Sequence, residues 1–343
     1  LKNKRKTTIK DIANVLKITP SAVSRALNNH PRISDKTKEA VKKVALELEY
    51  QPNQLASALR SGKSNLVGVI VPKTNSYFFS TVVESIENEL NKEGYNLIIT
   101  QSNESYEKEC RNIQTLLQTQ VDGIIASLTN ETVDFSHYEK IKSKGIPLIL
   151  YDRGENDIGV DYVGIDDYES SGLVVKHLVE QGCKRIAHLA GLSQTRIYKN
   201  RIRGYVDALA NHNLPLDKDL IKESSLTIEN GREITQELLK LNNRPDAIYA
   251  AGDYAALGAL QVLQEHNIKV PQEIALVGFN NEPFTSLVKP SITSISQHNK
   301  KIGKLVAKQF LKRVNDKNWK PVLTKNILNA ELIIRDSSNR KEA

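Results

Sequence analysis

Apolar residues along this chain follow two rhythms. Up to about residue 50 they recur at helical spacing. From residue 65 they gather in short continuous runs separated by amphipathic stretches. In residues 8–28, TIKDIANVLKITPSAVSRALN, one helical face carries Ile9, Ile12, Ala13 and Leu16. Val23 and Leu27, four apart, face inward on a second helix, and Lys17, Ile18 and Thr19 form the turn between them. Thr8 with Asp11 spells a capping box, in which a hydroxyl bonds a free N–H while a carboxylate reaches back. Thr19 can cap the second helix, and Pro20 suits its first turn, where that N–H would be unbonded anyway. A third helix is expected over residues 35–49, capped by Ser34, with Val41, Val44, Ala45 and Leu48 inward. Three short helices of this kind make a small helix-turn-helix domain.

Pro52 stops the third helix. Asn53 can cap a very short helix over residues 54–60, which would be marginal alone in water, and residues 61–64 form a link. Then comes LVGVIV, residues 66–71, as in a strand buried on both faces of a parallel sheet. Helices are expected over 79–93, 106–118 and 137–144, with strands over 96–100, 123–126 and 147–151. The pattern restarts with a strand over 162–165, followed by strands over 185–190, 247–250 and 274–279. Helices over 168–181, 201–212, 230–241 and 254–266 accompany them. The tail supplies strands over 292–296, 325–328 and 331–334 and a helix over 298–315. Such alternation argues open parallel sheets flanked by helices. Two half-domains of similar layout fit better than one large sheet. A tail strand returning to the first half would make three crossings, hence a hinge, with ligands bound between the lobes beyond the strand ends.

Charge changes this picture. Residues 1–64 hold 14 Lys and Arg against 5 Asp and Glu, whereas the remaining 279 hold 34 against 35. The whole cationic excess therefore lies in the helical head, as in a protein that binds a polyanion. The second helix leaves Ser21, Ala22, Ser24, Arg25 and Asn28 outward, a small, polar, cationic face. Such a face fits the DNA major groove, where Arg pairs with guanine and Ser or Asn reads adenine or phosphate.

Other chemistries are weakly represented. No run of eighteen apolar residues suggests a membrane span, and the basic start lacks the apolar stretch of a signal peptide, so a cytoplasmic protein is expected. Cys110 and Cys183 have no Cys or His at metal spacing and form no disulfide framework. The sequence contains no GxGxxG, Walker loop, GxSxG or HExxH. Asp166 and Asp167 are adjacent but need not converge. No catalytic residue, metal or cofactor is assigned.

In order and spacing, several motifs together resemble the LacI/GalR (lactose-repressor) family over nearly the whole chain. In the head they are TIKDIA (8–13), VSRALN (23–28), RISDKT (32–37) and YQPNQLASAL (50–59). In the core they are RIRGY (201–205), DAIYAAGD (246–253), VPQEIALVGF (270–279) and PSITSISQ (290–297). The resemblance implies a small all-α helix-turn-helix head plus an α/β two-lobe core of the periplasmic-binding-protein type. It places the DNA-binding head at residues 1–50, a hinge helix and linker at 51–64 and the core at 65–336, before a tail at 337–343. Lobe 1 would comprise about 65–163 and 290–322, and lobe 2 about 164–280 and 323–336.

Residue by residue, the resemblance gives Thr19, Pro20, Ser21 and Arg25 groove-reading positions, beside Thr8. It makes Asn53, Ala56 and Leu59 part of a minor-groove hinge helix whose leucine wedges into a base step. Effector positions would be Phe78, Phe79, Asp152, Arg153, Arg201, Leu226, Asp253 and Asn280. Three departures stand out: Lys17 where Gly is common, Asn280 in place of Asp, and Leu226 in place of an aromatic. The reading is a homodimeric, sequence-specific transcription regulator on a pseudo-palindromic operator, most plainly a repressor of carbohydrate-use genes. The alternative is a sugar-binding receptor or transport component sharing the core. If only Asp152, Arg153 and Arg201 reach the ligand, Arg is in surplus and favours a sugar acid or phosphate. If Arg153 pairs with Asp152 or Asp166, a neutral sugar fits, which is the first expectation.

Overall fold

The computed structural model describes residues 7–50, 63–154, 158–315 and 324–341. The expected hinge helix, with Asn53, Ala56 and Leu59, lies outside the described residues. The chain divides into two compact units, Leu1–Ser64 and Asn65–Ala343.

The first unit contains α1 (Ile9–Leu16), α2 (Pro20–Leu27) and α3 (Asp35–Glu47). Asp11 Oδ2 accepts from both the Thr8 backbone N–H and its hydroxyl, each at 2.7 Å. Lys17 ends α1 in the left-handed region, φ 52°, as its place in the turn predicts. Thr19 Oγ1 caps α2 by accepting from Ala22 N at 3.2 Å, and Ser34 caps α3 through Thr37 N. Ile12, Val23, Ala26 and Val41 are fully buried and join Ala13, Val44 and Ala45 in one core. Leu27 and Leu48 cover its edge and are only partly buried.

The second unit holds two six-stranded sheets. The first comprises β1 (Leu66–Val71), β2 (Asn96–Gln101), β3 (Gly123–Ala126), β4 (Leu148–Tyr151), β5 (Asp161–Ile165) and β11 (Lys325–Leu328). Its spatial order is β11-β5-β4-β3-β1-β2, all parallel. The second comprises β6 (Ile186–Gly191), β7 (Ile221–Ser224), β8 (Ala247–Ala250), β9 (Ala275–Phe279), β10 (Thr293–Ser296) and β12 (Glu331–Ile333). Its order is β12-β10-β9-β8-β6-β7, parallel except for the antiparallel β10–β12 pair. Lobe 1 carries α4 (Tyr77–Lys92), α5 (Tyr106–Gln118), α6 (Ser136–Ser143) and α11 (Asn299–Asn315). Lobe 2 carries α7 (Asp167–Glu180), α8 (Arg196–Asn211), α9 (Ile228–Leu239) and α10 (Asp253–Glu265).

The lobe borders differ from expectation in four places. All of β5 belongs to lobe 1, because it pairs with β4 and because Asp161 takes Arg313 Nη2 of α11 at 2.7 Å. β10 belongs to lobe 2, paired with β9. β11 returns to lobe 1 while β12 stays in lobe 2, so the two final strands part company. Residues 337–341 are no free tail: Ser337 and Ser338 are fully buried, and Arg340 donates to the carbonyls of Pro271 and Asp246 in lobe 2. Three crossings between lobes do occur, after β5, after β10 and after β11. Strand β7 was not anticipated. It is a short, half-exposed edge strand, IKES, without the continuous apolar run of an inner one.

Candidate functional site

On the head, Thr8, Thr19, Pro20, Ser21, Arg25 and Asn28 are exposed, while Ala22 and Ser24 are partly covered. The Thr19 hydroxyl is occupied by its cap and by Ser21 Oγ at 2.9 Å. Asn28 Nδ2 donates to Ser24 O at 2.8 Å, which pins that amide to its own helix. Arg25 projects from α2 into solvent. The face can therefore offer a guanidinium and hydroxyls to base edges, as helix recognition in a major groove requires.

In the core, a cleft of about 500 Å³ opens between the lobes, at the C-terminal ends of parallel strands. Phe78, Phe79, Asp152, Arg153, Arg201, Leu226, Asp253 and Asn280 all line it. Phe78 and Phe79 come from the first turn of α4 and meet edge to face, ring centroids 5.1 Å apart. Asp152 and Arg153 follow β4, Leu226 precedes α9, Asp253 opens α10 and Asn280 follows β9. Arg201 lies one turn and a half inside α8, because that helix begins at Arg196 and not at residue 201. Arg196 and Lys199 lie in its first turn.

Each arginine of the cleft is matched by a carboxylate. Arg153 Nη1 donates to Glu104 Oε1 at 2.9 Å and to Oε2 at 2.7 Å. Its Nε has no hydrogen-bond partner among the described residues and lies 4.0 Å from Asp152. Asp166 is elsewhere, capping α7 through the N–H groups of Tyr168 and Glu169. Arg153 is therefore neutralised chiefly by Glu104, a partner outside the expected pair. Glu104 sits in the β2–α5 turn at φ 62°, on the same sheet edge as Asp152. It also accepts from Asn130 N at 2.9 Å. Arg201 Nε donates to Asp167 at 2.8 Å, Nη1 donates to Ala251 O at 2.9 Å, and the guanidinium lies 3.5 Å from the Phe279 ring centroid. The surplus of arginine that would favour an anionic ligand is absent from this geometry.

Acidic groups dominate instead. Burial pushes the Asp152 carboxyl up to about 6. Asp253 accepts from Ser294 Oγ at 2.6 Å and from Glu282 N at 2.7 Å, yet burial still raises it to about 6. Glu282, 2% exposed, is pushed to about 7 by burial and then by the neighbouring Asp253. Asn280 Oδ1 accepts from Gln297 Nε2 at 2.7 Å beside the β10 crossing. A hydrogen bond from Thr195 Oγ1 to Asn130 Oδ1, 3.0 Å, spans the lobes at the rim. Glu104, Asn130, Glu282 and Gln297 escaped the sequence reading. The available signal was position alone, since all four follow strand ends that face the cleft. Among the described residues no group of three or more His, Cys, Asp or Glu has metal-binding geometry, and no helix is long and apolar enough to cross a membrane.

Comparison with known proteins bears on both units. Residues 8–53 match the family described as "Bacterial regulatory proteins, lacI family", and residues 64–329 match "Periplasmic binding proteins and sugar binding domain of LacI family". The HTH-type transcriptional regulator DegA of Bacillus subtilis (strain 168) is 32% identical over 335 residues, 97% of this chain and 98% of its own length. The ribose operon repressor of Haemophilus influenzae is 28% identical, over 91% of this chain and 93% of that one. Among solved structures, a lac repressor dimer bound to operator and an anti-inducer shares the fold with a TM-score of 0.87. It is 23% identical, with 97% of this chain and 99% of that one covered. A complex of the transcriptional regulator CelR with cellobiose superposes with a TM-score of 0.73 at 26% identity, covering 97% and 100% of the two chains. With a helix-turn-helix head and a two-lobed core both matched along one chain, the protein belongs to the LacI family of DNA-binding transcription regulators.

Proposed function

We propose that two copies of this chain grip a pseudo-palindromic operator through α2, and that a sugar-like effector in the interlobe cleft controls the grip. Arg25, Ser21 and Pro20 read the major groove, while exposed Lys10, Lys17, Arg32 and Lys36 meet phosphates. The observation that carries the effector half is the convergence of polar groups from both lobes, with a pair of phenylalanines from α4, on one cavity. Carboxylates and amides can hold ring hydroxyls, and an aromatic face can cover the apolar side of a sugar. A ribose operon repressor and a cellobiose complex among the relatives support a carbohydrate. A receptor or transport component would use the same core but has no use for residues 8–53. Selection from random duplexes tests the DNA half. The wild-type chain should enrich an inverted repeat, and Arg25→Ala should lose preference at one base pair per half-site, at a cost of roughly 1–3 kcal/mol. A uniform loss on selected and random DNA alike would recast Arg25 as a phosphate contact.

A further inference from the structure

We propose that the cleft selects an effector carrying an ammonium group among its hydroxyls, such as an amino sugar; this rests on the carbohydrate reading of the same site. Three basic side chains line the cavity, Lys73, Arg153 and Arg201, against six acidic ones. Lys73 is exposed at the rim, where Glu131 and Glu229 face solvent with the opposite sign. The two buried arginines are already paired, one with Glu104 and the other with Asp167. Asp253 is held by a serine hydroxyl and a backbone N–H. Asp152 and Glu282 remain. The Asp152 side chain is 8% exposed, makes no hydrogen bond to a described residue, and its nearest cation is the Arg153 Nε at 4.0 Å. Glu282 is 2% exposed and, among the described residues, meets no basic side chain at ion-pair distance, only the backbone N–H of Phe78.

A buried carboxylate without a cation is costly. Glu282 has none and Asp152 shares Arg153 with Glu104; facing the cleft from opposite lobes, they leave a ligand to supply the missing positive charge. An ammonium brings three donors and one charge, and it compensates a buried carboxylate better than a hydroxyl does. A ligand carboxylate or phosphate would meet these carboxylates unfavourably, since Arg201 is engaged by Asp167 and Ala251 and Arg153 is held by Glu104. The chemistry thus orders effectors as amine first, neutral sugar second and acid last.

Titration calorimetry and thermal shift on the full chain at pH 7.5 test this order. The probes are glucose, glucosamine and glucuronate, the matching galactose series, and cellobiose. The expected result is that one amino sugar binds at least about tenfold tighter than its neutral parent, a gap of about 1.4 kcal/mol. Asp152→Asn or Glu282→Gln should shrink that gap. A neutral sugar or uronate binding tighter than its amine would overturn the ammonium and leave the carbohydrate reading standing. Cellobiose binding with no amino sugar bound would do the same. Silence from every probe, neutral, amino and acidic alike, would overturn both.

Discussion

Glu282 is the residue whose surroundings make the sharpest demand. Its pKa rises from 4.5 to about 7 because burial and Asp253 both disfavour its charge. A carboxyl with a raised pKa holds its proton more tightly folded than unfolded. Stability is therefore lost as pH rises from the unfolded value through the folded one, and the penalty is complete above about 7. Glu282→Gln removes the ionisation. It should stabilise the ligand-free protein at pH 8, by on the order of 2–3 kcal/mol, and the gain should fade towards pH 4.5. Urea unfolding at the two pH values checks this, and an equal gain at both would deny that charge is the cause. At this scale the sequence is legible where interactions are local. Thr19 with Ala22, Ser34 with Thr37 and the positive φ of Lys17 all follow from neighbours within a few positions. The Arg153–Glu104 pair does not, because its partners lie 49 residues apart and meet only when the loops after β2 and β4 converge beyond the C-terminal ends of one sheet.

Helix packing sets the position of Arg201. Three residues later, Gly204 faces the backbone of α7, and a Cβ there would lie 2.2 Å from Tyr168 O and 3.0 Å from Ser171 Cβ. That close approach brings Arg201 to Asp167 at the start of α7. Gly172, inside α7, has nothing within 4 Å of an added Cβ. The two glycines should therefore respond oppositely. Gly172→Ala should stabilise by about 0.5–1 kcal/mol through helix propensity. Gly204→Ala should destabilise by roughly 1–3 kcal/mol through overpacking and loosen the Arg201 pair. Denaturation midpoints of the two variants moving in the same direction would contradict this packing account. The sequence contains RIRGY as a motif, yet the role of its glycine depends on a helix more than thirty residues upstream. Strand β5 teaches a similar lesson. Its apolar pattern marks a strand, but its sheet is chosen by the β4 register and by Asp161 pairing with Arg313 of α11. Inner strands such as β3 and β8 fall at the expected residues, because continuous apolar runs or the flanking turns bound them tightly.

Across the whole molecule, a cationic head and a nearly neutral core share one chain. Operator binding should weaken steeply with salt, because each neutralised phosphate releases counterions. A nearly flat plot of log K against log salt would contradict the role given to the basic head. The core's three crossings give the lobes a shared hinge, and its cleft draws walls from both. A ligand that fits one lobe arrangement better than another shifts their balance by its differential affinity. Operator affinity and effector affinity must then change each other by the same factor. The measurement that tests this most directly is an anisotropy titration of the full chain against its selected operator. It is made with and without a saturating amount of the sugar that most raises the melting temperature. The account predicts a change in operator affinity of roughly 5- to 150-fold, with the same factor recovered when the sugar is titrated in the presence of operator. A sugar that fills the cleft and leaves operator affinity unchanged would contradict it.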